Sequence, residues 1–133
     1  MGYRVHVIRR QPEYGHCGAF SYKYEDFKNL LSALGCDICG TDDMVCSPRW
    51  EVSAKEYAQA IKLLAKLNKG EHINGQHVTS DCGRETIIDE KKILNIITNK
   101  YLLGDTLEDV LETMEIFEKE RDHTSDYVMF DCY

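Results

Sequence analysis

Two things are scarce in this sequence: long apolar runs and positive charge. No stretch of the 133 residues approaches the roughly 20 apolar residues that a membrane-spanning helix needs, so a transmembrane role is excluded as a first reading. Sixteen Lys and Arg face 23 Asp and Glu, a formal net charge of −7. A chain this acidic is a poor partner for nucleic acid or anionic membrane, and the Arg9-Arg10 pair is too small to reverse the balance. Met1 leads straight into charged residues without the apolar core of a secretory signal, which predicts a cytoplasmic protein. There is no P-loop, GxGxxG, GxSxG or HExxH pattern, no internal repeat and no low-complexity tract.

What is present is an ordinary globular composition, 43% hydrophobic and 29% charged, at the usual length of one domain. Residues 1–133 are therefore expected to form a single domain. Tyr3 to Arg9 alternates as a β-strand, and Tyr127 to Tyr133 does the same, so a strand is expected at each end of the chain. Phe27, Leu30, Leu31 and Leu34 recur at helical spacing, and Gly35 accepts the conformation that stops a helix. Arg49 to Val52 reads as a short strand, followed by the capping box Ser53…Glu56 and a helix to about Lys69. Thr86 to Leu102 reads as a helix, and Thr106…Asp109 opens another that runs to about Arg121. Residues 36–48 and 71–84 read as loops; the second, with a strand only at His77-Val78, is long enough to be a functional loop. The expected fold is α+β and two-layered: a three- to four-stranded sheet with about four helices mainly on one face.

Strand parity then sorts the sheet residues. Val5, Val7, Trp50, Val52, Val128, Phe130 and Cys132 belong to the core face. Arg4, His6, Ile8, Arg49, Glu51, Tyr127, Met129 and Asp131 are expected on an open face. Charges mixed with Tyr, Met and Ile suit an interface with another protein or with a second copy, although antiparallel sheets also carry mixed wet faces with no role. If the terminal strands pair in register, His6 and Asp131 would form an orienting dyad, the main hint of a small hydrolase-like enzyme. A second candidate surface is the acidic stripe Glu108, Glu112 and Glu115, either a site for a basic partner or a solvated helix face.

The six cysteines include Cys36-x2-Cys39-x6-Cys46. Thiolates at this spacing could hold a zinc ion, with Cys17, His16, Cys82 or a distant histidine as fourth ligand. Free thiols and a redox CxxC are the competing readings. On the zinc reading the protein would be a metal-stabilised structural or adaptor module.

The segments Tyr3-Arg-Val-His-Val7, Glu13-Tyr-Gly15, Ala19-Phe20, Glu25-Asp-Phe27 through Leu30 to Cys36, Glu51-Val52 with Glu56-Tyr57, and Ser125 to Phe130 carry a resemblance. Together they are similar to a group of small proteins of bacterial genomes and mobile elements to which no activity is assigned. The resemblance brings no catalytic or binding residues. It implies a role in genetic conflict, such as an immunity protein or an inhibitor of a defence system.

Overall fold

The computed structural model describes residues 4–10, 13–14, 19–21, 23–42 and 49–132. In chain order the elements are β1 (Val5–Arg10), β2 (Glu13–Tyr14), α1 (Tyr24–Ala33), β3 (Cys39–Asp42), β4 (Arg49–Ser53), α2 (Ala54–Asn68), β5 (His77–Thr79), β6 (Glu85–Ile87), α3 (Glu90–Thr98), α4 (Leu107–Glu120) and β7 (Tyr127–Cys132). The α+β architecture and the strand near each end are as the alternation predicts.

The main sheet has the order β2-β1-β7-β4-β3, with every pair antiparallel. Four strands form its body, and the two-residue β2 extends one edge. The last strand is the central one. β7 pairs with β1 through Val5–Cys132, His6–Asp131 and Val7–Phe130, and with β4 through Arg49–Asp131 to Ser53–Tyr127. A central strand needs a side chain to bury on its core face at every second position, and Val128, Phe130 and Cys132 supply them.

The four helices contribute to one buried cluster with that face. Trp50 stacks on Phe130 with ring centroids 4.4 Å apart, and Phe27 and Phe117 meet Phe130 edge-on at 5.6 and 5.3 Å. Burying a ring such as Phe130 contributes about 2–3 kcal/mol through area alone, and edge-to-face pairs add about 0.5–1.5 kcal/mol each. The two polar tips in this core are satisfied. The Tyr57 hydroxyl donates to the Met114 carbonyl at 2.8 Å, and the Trp50 indole N–H donates to Cys132 Sγ at 3.2 Å.

Three expectations need correction. Residues 36–48, expected as a loop, include the edge strand β3, and β2 forms the other edge. Both are short edge strands whose sequences lack apolar alternation, since register with a neighbour rather than burial defines them. The 71–84 loop carries the strand expected at His77-Val78, as β5, and leads into β6, which pairs with it in a hairpin through His77–Ile87, Val78–Thr86 and Thr79–Glu85. The helix expected from Thr86 therefore starts at Glu90. Thr86 and Ile87 are β-branched and favour extended chain, and Asp89 caps α3 by accepting from the amides of Lys91 and Lys92. The same helix was expected to reach Leu102 but ends at Thr98. Lys23 Nζ donates to the carbonyls of Lys100 and Leu103 in the turn that follows.

Candidate functional site

On the side of the sheet away from the helices, three strands place a row of charged residues. His6 on β1, Asp131 on β7 and Arg49 on β4 are register partners in sequence across the sheet. Arg49 Nε donates to Asp131 Oδ2 at 3.2 Å. The next row along contains Cys39, Glu51 and Met129, on β3, β4 and β7.

Parity placed these residues correctly, but not all of them are open. His6 is only 8% exposed, Ile8 2% and Asp131 2%. Asp131 lies on the central strand, in register with His6 on one side and Arg49 on the other, and is ion-paired to the Arg49 guanidinium. Asp131 and His6 thus belong to the framework of this face. Its accessible part consists of Tyr127, 45% exposed, and the half-buried Arg49, Glu51 and Met129, with exposed Arg4 at the far edge.

The register that a His6–Asp131 dyad requires is present. Burial of both residues leaves little surface for a substrate. His72, His77 and His123 are exposed.

The acidic stripe is where its periodicity puts it: Glu108, Glu112 and Glu115 are all exposed on α4. The opposite side of α4 buries Val110, Leu111, Met114 and Phe117 in the core beneath the sheet. The stripe therefore faces solvent from the helical layer while Glu51 and Met129 face it from the sheet layer. One flat partner cannot touch both.

The cysteine motif is separated by its backbone. Residues 36–39 lead into β3, and alternate side chains point opposite ways. Cys36 is 1% exposed, with its thiol donating to the Glu56 carbonyl at 3.5 Å, and Ile38 packs against the core. Asp37 and Cys39 point outward, and Cys39 is exposed. Burial pushes the Cys36 thiol up to about 12, with the nearby Glu56 carboxylate adding to the rise. The two thiols of the Cys36–Cys39 pair thus stand in different environments, one buried and one exposed. Cys46, with Cys17 and His16, lies outside the described residues. Among the described residues no three His, Cys, Asp or Glu side chains converge on a metal-sized site.

A polar cluster that the sequence did not reveal lies between the β5–β6 hairpin and the start of α2. Glu56, 8% exposed, accepts from the Asp37 amide through Oε1 at 2.9 Å and from the Asp81 amide through Oε2 at 2.8 Å. Arg84 Nε donates to Asp37 Oδ1 at 2.7 Å, and its Nη2 donates to the Cys36 carbonyl at 2.7 Å. Hydrogen bonding from Ser80, then from Arg84, holds the Asp37 carboxyl below its ordinary value. The capping box was the one available signal, because it required a Glu56 carboxylate bonded to a backbone amide. Ser53 does cap α2, accepting from the Glu56 amide at 3.5 Å, but the carboxylate reaches two other segments instead. A groove of about 420 Å³ adjoins the cluster, walled by α1, β6 and α3 and lined by Asp26, Asn29, Arg84, Ile87 and Lys92 among others.

Among the described residues, no helix is long and apolar enough to cross a membrane. No family model, curated protein or solved structure matches this chain.

Proposed function

We propose that this chain acts by binding another protein through the helix-free face of its sheet, in the manner of an inhibitor or immunity protein of the cytoplasm. Arg49, Glu51, Tyr127 and Met129 are the contact residues, with Arg4 at the rim and the His6–Asp131 pair as the rigid base beneath them. The observation that carries this reading is the combination on two adjacent strands of half-exposed apolar side chains with charges, among them an Arg49 that is held by the buried Asp131. Preset charges spare a partner the ordering cost of free side chains, and a central apolar contact with a polar rim is how specific interfaces are built.

The acidic stripe on α4 supplies the competing surface, suited to a basic partner. Because the two lie on opposite sides, they can be tested separately. Affinity capture from host lysate would compare the native protein with Glu51→Arg plus Tyr127→Glu on the sheet, and with Glu112→Arg plus Glu115→Arg on α4. The reading expects the sheet variant to lose its partner by at least about ten-fold, roughly 1.4 kcal/mol, while the α4 variant keeps it. Retention by the sheet variant with loss by the α4 variant would transfer the function to the stripe. A concentration-dependent dimer abolished by the sheet variant would make a second copy the partner.

A further inference from the structure

The chain has five asparagines, and four of them precede a bulky residue: Leu30, Lys69, Ile96 or Lys100. Asn74 alone precedes a glycine, Gly75. An asparagine side chain can cyclise onto the backbone nitrogen of the next residue, and a glycine without Cβ leaves that nitrogen least hindered. Asn74-Gly75 is exposed and lies in the turn that leads into β5. By local chemistry it is the side-chain amide of this chain most prone to spontaneous change.

The fold ties down both reacting groups. Cyclisation requires the Gly75 amide to lose its proton, and that N–H donates to the Ile88 carbonyl at 2.8 Å. The carbon to be attacked is Asn74 Cγ, and its oxygen, Oδ1, accepts from the Glu90 amide at 3.1 Å. Glu90 also grips the turn from the other side. Its Oε1 accepts from the Asn74 amide at 2.9 Å and from the Ile73 amide. These bonds clasp the turn to the first residue of α3. The Ile88 amide donates to the Gln76 carbonyl at 2.9 Å, so the clasp sits at the open end of the β5–β6 hairpin.

We propose that Asn74 is a self-modification site guarded by this clasp: it deamidates when the hairpin end opens, and the isoaspartate formed then keeps the clasp from closing. Once a solvent base takes the Gly75 amide proton, the nitrogen attacks Asn74 Cγ. The N–Cγ bond forms, the Cγ–Nδ2 bond breaks, and ammonia leaves after taking up a proton. Water then opens the succinimide. Attack at Cγ gives aspartate, and attack at the backbone carbonyl gives isoaspartate, whose main chain runs through Cγ. No oxidant or cofactor enters. The isoaspartate backbone is longer by a carbon atom, so the Gly75–Ile88 bond and the Glu90 bonds to residue 74 cannot form together. The change is one-way, which makes the site a record of how often this end of the hairpin has opened.

The test incubates the full chain at mildly alkaline pH, once folded and once in unfolding urea. Peptide mapping follows the mass gain of NH2 exchanged for OH, together with the isoaspartate content. A reaction that passes through local opening runs at the unfolded rate multiplied by the open fraction, so folded Asn74 should react at least about ten-fold more slowly. Glu90→Ala, shown by circular dichroism to stay folded, should react measurably faster than the native chain; Asn74→Gln should not react at this position. Isoaspartate chains returned to native buffer should exchange the amides of residues 75 and 88 about ten-fold faster than unmodified chains. Equal rates at Asn74 with and without urea would overturn the proposal. So would earlier modification at another asparagine, or an isoaspartate form with unchanged exchange.

Discussion

Glu56 is the residue whose removal tests the account of this fold most sharply. Its carboxylate is nearly buried and each oxygen accepts one backbone amide, from Asp37 and from Asp81. Hydrogen bonds to a charged group contribute about 1.5–3 kcal/mol each. Both amides lie in segments that water can partly reach after the loss, so the low end of that range applies, and Glu56→Ala should cost about 3 kcal/mol. Set against a typical total of about 5–15 kcal/mol, that is a large fraction. With an unfolding entropy of about 2.1 cal/mol/K per residue, it lowers Tm by about 10 °C. Glu56→Gln separates this from a general effect of charge at a helix start, since it keeps the shape and one acceptor but turns an N–H donor toward an amide N–H. It should cost at least half as much. Ser53→Ala is the comparison: it removes the α2 cap, whose 3.5 Å bond is long, and should cost only about 0.5–1 kcal/mol. Urea unfolding of the three variants is the assay. If Glu56→Ala costs less than about 1 kcal/mol, or less than Ser53→Ala, the carboxylate does not hold the hairpin and the reasoning fails.

Two other outcomes follow from the same region. Gly35 has φ +96°, and a Cβ there would meet Val78 Cγ1 at 2.4 Å, so Gly35→Ala should destabilise by about 2 kcal/mol or more through backbone strain and a clash with β5. Adding Val78→Ala should recover part of that loss, and strict additivity in chemical denaturation would show that the two positions do not press on each other. Asp37 titrates below its ordinary 3.8, because Ser80, then Arg84, hydrogen-bond to its ionised form. A depressed folded value means that stabilisation is complete above about pH 4 and is lost as pH falls through the folded value. The stability difference between native protein and Asp37→Asn, followed from pH 5 to pH 2.5, should therefore shrink toward zero in acid; a constant difference would place the Asp37 contribution outside its charge.

The outline was legible wherever burial imposes a period. Phe27, Leu30 and Leu31 share a helical face and are buried on α1. Val128, Phe130 and Cys132 alternate and are buried on β7. Trp50 and Val52 face the core as parity requires. A strand of two to four residues is too short to show a period, which is why β2 and β3 were missed and why the hairpin at 77–87 read mostly as a loop. The start of α3 was misplaced for a related reason: Thr86 to Ile88 is apolar enough to extend a helical pattern, and only the pairing of Val78 with Thr86 draws it into a strand.

The candidate site divides in the same way. The local chain alone determined which face of the sheet each residue would occupy, because successive side chains on a strand must point opposite ways. It also determined that Glu108, Glu112 and Glu115 would share one exposed stripe. Tertiary structure decided how much of the sheet face stays open: His6, Ile8 and Asp131 have the parity of the open face, yet all three are buried. It also decided that Cys36 is buried while Cys39, three residues on, is exposed. The reason is the same in both cases: direction along a strand is a local property, whereas proximity between strands depends on register, which is set by the rest of the fold.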